Sequence, residues 1–313
     1  MTEFVSTYDA TKKIHVAHLR SGLRPSQSRQ LDQTGVFIPK QKPWRRIVQI
    51  LLTLLVLYVL LALFVMLVQR KLIYYPSKLS PEMAAQIARQ QGFVPWRDST
   101  GAIIGWHLPA KSSPTASVLV AHGNAGSALN RAYIAAPIHS AGNLDVFVLE
   151  YPGYGAREGS PSLQSFLAAA EGAFRVLPAN RPVYVVAESL GAGAAAHLAK
   201  TFGSRVSGLL FFAPYDDLAA VGQRQMPFLP VKLLMRDRFT PAQWLKNYRG
   251  PVVVVVAGAD TIIPAQFGRG LHDRYAGTKK LQEIANAGHN DIAAQSADWW
   301  KEILLFWQPP PVR

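Results

Sequence analysis

The sequence predicts an α/β fold: a mostly parallel sheet with helices on both faces, preceded by one transmembrane helix. Three observations carry this. Short runs of Val, Leu, Ile and Phe recur through residues 93–284, the clearest being residues 182–187 and 251–257. Segments of helical period lie between them, such as residues 163–176 and 192–202. Near-continuous apolar strands alternating with helices indicate a parallel sheet buried on both sides. The third observation is residues 47–69, 23 residues without Asp, Glu, Lys or Arg. At about 1.5 Å per residue they reach roughly 34 Å, enough to cross a hydrocarbon core of about 30 Å.

Taken in order, residues 1–46 are polar, basic and without period, which predicts a disordered tail. Residues 47–69 are too long and too far along the chain for a cleaved signal peptide, and no small-residue cleavage site follows them. Lys40, Lys42, Arg45 and Arg46 crowd their N-terminal side, against Arg70, Lys71 and Lys78 beyond. The positive-inside rule then places the N-terminus in the cytoplasm and residues 70–313, a single domain, on the outer side. Tyr74 and Tyr75 are expected to seat their rings at the membrane interface. Ser80-Pro81-Glu82 opens a short helix, with serine as cap and proline at the first helical position, and Gly92 closes it.

Residues 93–97 and 103–108 read as a hairpin about Asp98-Ser99-Thr100-Gly101. Strands are predicted at 117–121, 145–150, 182–187, 207–212, 251–257 and 279–284. Residues 219–250 form a candidate small cap, with apolar surface in Met226-Pro227-Phe228-Leu229-Pro230 and Leu233-Leu234-Met235. It either roofs a pocket or packs the domain. The last helix sets Trp299, Trp300, Ile303, Leu304 and Trp307 at core-facing spacing, and Pro309-Pro310-Pro311 ends it.

The net charge of +14 invites a nucleic-acid reading, but its distribution argues against one. Residues 1–71 hold 11 Lys/Arg against 3 Asp/Glu, and the longer remainder holds 22 against 16. The basic excess sits beside the apolar segment, where membrane orientation explains it. The absence of cysteine removes disulfides, thiolate metal sites and a cysteine nucleophile. With no H-x-H-x-D or H-E-x-x-H spacing either, neither metal nor cofactor is expected.

The chemistry points to Ser189. Strand 182–187 breaks into Glu188-Ser189-Leu190-Gly191-Ala192-Gly193, an apolar strand turning sharply into an alanine-rich helix. A serine on such an elbow has its hydroxyl pushed clear of the sheet and the following N–H free to hold an oxyanion. The usual pattern is G-x-S-x-G, and Ala187 replaces its first glycine. Asp260 stands just past the strand 251–257, and His289 lies in the loop after strand 279–284, both on the edge where ligands bind a parallel sheet. The order Ser189, Asp260, His289 supplies a nucleophile, an orienting acid and a general base for acyl transfer. After strand 117–121, His122-Gly123-Asn124-Ala125-Gly126 offers a second oxyanion donor, the N–H of Asn124 or Ala125, to join that of Leu190.

From Tyr75 to the C-terminus the chain resembles the α/β-hydrolase superfamily, and within it the membrane-anchored serine hydrolases of the abhydrolase-domain type. The landmarks are Tyr74-Tyr75-Pro76, Gly105-Trp106-His107-Leu108-Pro109-Ala110, His122-Gly123-Asn124-Ala125-Gly126 and Tyr151-Pro152-Gly153-Tyr154-Gly155 with Glu158-Gly159-Ser160-Pro161-Ser162. They continue through Asp237-Arg238-Phe239, Gly258-Ala259-Asp260 with Pro264, and Gly288-His289-Asn290-Asp291. Glu150 and Pro152 stand where this subgroup usually shows Asp and Arg. The resemblance implies hydrolysis of an ester, thioester or related acyl bond through an acyl-Ser189 intermediate. Lipase, carboxylesterase, thioesterase and peptidase share that machinery, and the bilayer makes a lipidic or acylated substrate attractive, an acylated protein among them. The alternative is a silent hydrolase fold serving as a membrane-tethered binding protein, kept open by Ala187. Asp216 and Asp217 are rivals for the acid, Asp291 is assigned to the loop, and His122 to a structural place under the oxyanion loop. His107, His139, His197 and His272 have no nameable partner, and Glu188 has no assigned direction.

Overall fold

The apolar runs become strands because their β-branched and aromatic side chains fill both faces of a covered sheet. In a computed structural model, residues 43–308 are described. The elements follow in chain order: α1 (Pro43–Ile73), β1 (Tyr75–Pro76), α2 (Pro81–Gln90), β2 (Val94–Arg97), β3 (Ile103–Leu108), β4 (Ala116–Ala121) and β5 (Ala125–Gly126). Next come α3 (Ala132–Ala141), β6 (Leu144–Leu149), α4 (Leu163–Arg175), β7 (Val183–Glu188), α5 (Gly191–Phe202) and β8 (Val206–Phe212). The chain closes with α6 (Leu218–Gln225), α7 (Val231–Leu234), α8 (Pro241–Trp244), β9 (Val252–Ala257), α9 (Ala265–Arg274), β10 (Lys279–Ile284) and α10 (Ala297–Trp307).

Eight strands form one sheet in the order β10-β9-β8-β7-β4-β6-β3-β2. Pairings from β10 to β6 are parallel, and β3 joins antiparallel to both β6 and β2. Along each central strand alternate residues serve opposite faces. Leu119, Val185, Phe211 and Val254 face one cluster, which α4, α5 and α9 cover through Phe166, Leu198 and Phe267. Val118, Val186, Leu210 and Val253 face the other, covered by α2, α3 and α10 through Ala88, Ile138 and Trp300. The edge strand β10 is mostly exposed and carries Lys279, Lys280 and Glu283, charges that discourage pairing with another chain. The α/β architecture is therefore the expected one, with strand limits within a residue or two of those predicted.

The contacts divide the chain after Tyr58, inside α1. The first unit, where described, is helix alone (Pro43–Tyr58). The second holds the last turns of α1 and everything after them. The helix outruns the apolar stretch 47–69 by four residues at each end, and is the one helix among the described residues long and apolar enough to cross a bilayer. The expected disordered tail lies outside the described residues as far as residue 42. One expectation fails at residue 74. Tyr74 is buried in the domain rather than set at an interface, and its hydroxyl donates to Asp237 at 3.0 Å, while Tyr75 stays exposed. The cause is the parallel pairing of β1 with β5, which turns the chain inward directly after α1.

Trp300 fills the core beneath the sheet, stacked edge-on to Phe212 and to Trp299. Trp300→Ala is expected to cost about 3–5 kcal/mol and to lower the thermal midpoint in detergent by roughly 10 °C. Leu305→Ala, at an exposed position of the same helix, is expected to stay within about 0.5 kcal/mol of wild type. Equal midpoints for the two variants would remove Trp300 from the core.

Candidate active site

Four loops leave the carboxyl edge of the sheet, after β4, β7, β9 and β10, and the side chains named from the sequence meet there. Ser189 follows β7 directly and holds φ 50°, a left-handed conformation rare outside glycine. Its N–H continues the ladder to Phe212 O (2.9 Å), and its carbonyl accepts Ala192 N–H (3.0 Å) to begin α5. Gly191 is obligatory, because a Cβ there would run into the Ala121 carbonyl of β4. Ala187, in place of the usual glycine, lies opposite Ala121 on β4 and Phe211 on β8, and is fully buried.

His289 Nε2 lies 3.0 Å from Ser189 Oγ, and His289 Nδ1 lies 2.6 Å from Asp260 Oδ2. An ionised carboxylate only accepts, so the proton belongs on Nδ1 and the Nε2 lone pair faces the serine hydroxyl. Asp260 is fixed by two further bonds, its Oδ1 accepting the N–H groups of Ile262 and Ile263 at 2.8 Å each. The acid and base loops are stitched together by Gly258 N–H to Ile284 O (2.9 Å) and Ala259 N–H to Ala287 O (3.0 Å). The rivals are engaged elsewhere. Asp216 pairs with Arg274, Asp217 caps α6 through Ala219 N–H, and Asp291 accepts Gly288 N–H.

Of the three expected oxyanion donors, Asn124 and Leu190 line the same cavity as Ser189. Ala125 does not; it stands in β5 beside Tyr75. Gly123 N–H is directed at Glu188 Oε2 (3.2 Å). His122 is buried under the loop with Nδ1 2.8 Å from Gly123 O, packed edge-on against Tyr151 and Tyr154. The loop is held from the other side by Asn124, whose carbonyl accepts Tyr75 N–H (2.9 Å) and the Tyr154 hydroxyl (2.8 Å).

Sequence reasoning missed the direction of Glu188. Its buried carboxylate accepts from Arg131 Nε (2.6 Å), the Tyr133 hydroxyl (2.7 Å) and Gly123 N–H, and Arg131 in turn donates to Ala125 O (2.8 Å). Burial works against the charged form, but the Arg131 guanidinium and the Tyr133 hydroxyl outweigh it and hold the carboxyl below its ordinary value. The histidines left without partners also have them: His107 meets Asp145, His197 meets Glu171, His272 meets Asp273 and His139 meets Pro109 O. These pairings join residues up to 38 apart, except the neighbours 272 and 273, and no local pattern marks them.

The cavity above Ser189 has a volume of about 420 Å³, within the range of small-molecule sites. Its floor is Ser189, Leu190 and Asn124, and its walls come from α6, α7 and the last turns of α1. Among the described residues no three His, Asp or Glu side chains gather as a metal would require.

An α/β sheet with a serine elbow, a histidine and an acid on its carboxyl edge defines a hydrolase of the α/β class. A serine-hydrolase family model matches residues 158–307. An uncharacterized protein of Mycobacterium tuberculosis is 33% identical over 230 residues, 71% of this chain and 81% of that one. The lysophosphatidylserine lipase ABHD12 of Danio rerio is 26% identical over 207 residues, 59% of this chain and 54% of that one. Among solved structures, the Pyrococcus furiosus esterase Pf2001 has a TM-score of 0.56 at 14% identity, over 75% of this chain and 96% of that one. Est1E of Butyrivibrio proteoclasticus with bound ferulic acid has a TM-score of 0.53 at 16% identity, over 64% and 93%. The structural likenesses are likenesses of fold. The chain belongs to the serine hydrolases of the α/β-hydrolase superfamily.

Glu188 contributes stability that is fully present above its ordinary value of 4.5 and is lost as pH falls through the lower folded-state value. Glu188→Gln lacks this contribution. The midpoint gap between wild type and variant is expected to be widest above the ordinary value of 4.5 and to shrink as pH falls below it. A gap that does not change with pH would show that the carboxylate charge is not what the loop uses.

Proposed function

We propose that the chain is a membrane-anchored serine hydrolase that cleaves an ester, thioester or related acyl bond through an acyl-Ser189 intermediate. His289 Nε2 takes the Ser189 proton as Oγ attacks the substrate carbonyl. Asp260 holds the imidazole in its tautomer and stabilises the charged form. The N–H groups of Leu190 and Asn124 receive the oxyanion, each such donor being worth about 2.7–4 kcal/mol in the transition state. His289 passes the proton to the departing alcohol or thiol, and then serves as base for the water that releases the acid from Ser189. The observation that carries this reading is the continuous hydrogen-bonded line Asp260–His289–Ser189, ending at an apolar cavity. The 420 Å³ cavity favours a small-molecule or lipidic acyl group over a polypeptide segment.

Residues 47–69, within α1, are assigned as the anchor and residues 70–313 as the catalytic domain, with 219–250 as its cap. The basic flank upstream of α1 supports a cytoplasmic N-terminus and a catalytic domain on the outer face. A phosphatase reporter fused after Arg313, active only when exported, is expected to be active. Activity of a cytoplasm-only reporter at the same position would reverse the topology.

The deciding measurement is labelling of the detergent-solubilised full chain by a fluorophosphonate. Wild type is expected to label, Ser189→Ala to lose labelling, and Asp260→Asn to hydrolyse esters roughly 10⁴-fold more slowly. Folded wild-type protein that does not label would favour the membrane-tethered binding protein, and labelling that survives Ser189→Ala would mean another nucleophile.

A further inference from the structure

The wall of the cavity nearest α1 is built by the helix that the composition marks as a membrane anchor. Val65, Met66, Gln69, Leu72 and Ile73 recur at the three- and four-residue spacing of one helix face, and all five line the cavity that holds Ser189. A polar clasp fixes this face to the cap. Gln69 Nε2 donates to Leu234 O (3.3 Å), and its Oε1 accepts Arg236 N–H (2.7 Å). Arg70 meets both oxygens of the buried Asp237 at 3.1 and 3.3 Å, and the Tyr74 hydroxyl donates to the same carboxylate.

Most polar side chains of the wall are already committed, and Thr261, which also lines the cavity, is exposed. Gln69 is bonded as above, Gln225 Nε2 donates to Thr261 O and Ile262 O, and the Tyr215 hydroxyl donates to Leu190 O. Asn124 Nδ2 donates to Ile73 O. Beside Thr261, the lining is hydrocarbon from Met66 and Val65 on one side and Leu229 and Met235 on the other, with the serine hydroxyl at the base. The outside of the same cap carries two exposed apolar side chains, Phe228 at 88% and Leu233 at 78%, among the exposed cations Arg224, Lys232, Arg236 and Arg238, a mixture suited to a lipid headgroup boundary.

We propose that α1 is a working wall of the acyl site as well as an anchor. The occupant is the hydrocarbon chain of a single-chain amphiphilic ester, which passes from the bilayer between α1 and the cap, and Met66 and Val65 set the chain length accepted. This rests on the hydrolase reading of Ser189 given above. An apolar cavity continuous with a lipid-facing helix takes the chain without exposing it to water, and leaves the polar head group outside. Because the clasp is made by residues 69, 70 and 74, the wall cannot be detached from the anchor: the same turns do both.

The test is the ratio of kcat/KM for p-nitrophenyl dodecanoate over the butyrate, on the full chain in lipid nanodiscs. Fluorophosphonate labelling of Ser189 reports in each sample that the site is assembled. Met66→Trp is expected to lower the ratio at least tenfold, and Met66→Ala to raise the ratio for hexadecanoate over dodecanoate. Leu67→Trp, on the exposed side of the same turn, is expected to keep the wild-type ratios. If Met66→Trp no longer labels, the Met66→Ala ratio decides alone. Labelled Met66 variants with wild-type ratios would overturn the proposal while leaving the hydrolase reading intact. Unlabelled wild type would instead remove the reading on which it rests.

Discussion

Everything at the site depends on the backbone of Ser189 being held left-handed at the end of β7. A non-glycine residue in that region costs on the order of 1–2 kcal/mol and persists only where its surroundings over-determine it. Here the constraint comes from both directions. The ladder bond from Ser189 N–H to Phe212 O prevents the strand from relaxing, and Gly191 lies so near the β4 carbonyl that α5 has no other way to begin. The outcome is a hydroxyl lifted off the sheet edge, with the Leu190 N–H at a helix start, where intrahelical partners are lacking.

The elbow also determines what the neighbouring loop can do. Glu188, one residue before Ser189, is buried with Arg131 and Tyr133, and the pair would be an expensive inclusion if it served stability alone. Its bonds point to another use. One carboxylate oxygen holds Gly123 N–H, and Arg131 holds the Ala125 carbonyl, so both ends of the Gly123–Ala125 loop are tied to the residue that precedes Ser189. Asn124, between them, has its carbonyl taken by Tyr75 and Tyr154. The backbone at Asn124 is therefore fixed at its carbonyl and on both flanks, and under the proposed mechanism its N–H is placed beforehand, the arrangement that gives electrostatic stabilisation its largest effect.

Much of this was legible in the sequence, for a reason that also marks the limit. Strands β4, β7, β8 and β9 announce themselves because burial on both faces leaves only apolar residues, and loops at their carboxyl ends inherit a fixed edge. Ser189, Asp260 and His289 could therefore be assigned to one place without knowing any distance. Which of Asn124 and Ala125 lines the cavity could not be read, since it depends on the two-residue pairing of β5 with β1, too short to leave a pattern. Tyr74 was misplaced for the same reason. Glu188 with Arg131, and Gln69 with the backbone at 234–236, join residues 57 and 167 apart, and long-range polar pairs leave no periodic trace. The apolar stretch 47–69 holds Gln49, Thr53 and Tyr58 as well as the terminal Gln69, so Gln69 is no more than a hint that one face of the helix has a protein partner.

That hint has a physical basis. A buried side-chain amide left without partners costs about 1–3 kcal/mol, and more within hydrocarbon, where no water replaces them. A glutamine at the end of a bilayer-length run is tolerable only if something accepts and donates to it, and the cap backbone does both. Arg70 extends the same logic: its charge is paired with a carboxylate that Tyr74 also holds, so the helix end, the residue leading into β1 and the cap meet at Asp237. The landmark Asp237-Arg238-Phe239 thereby acquires a physical meaning. Phe239 fills the space over Gly193 at the start of α5, two residues after Asp237 binds the end of α1. One short segment, Asp237–Phe239, thus touches both the end of α1 and the start of α5, the helix that follows Ser189.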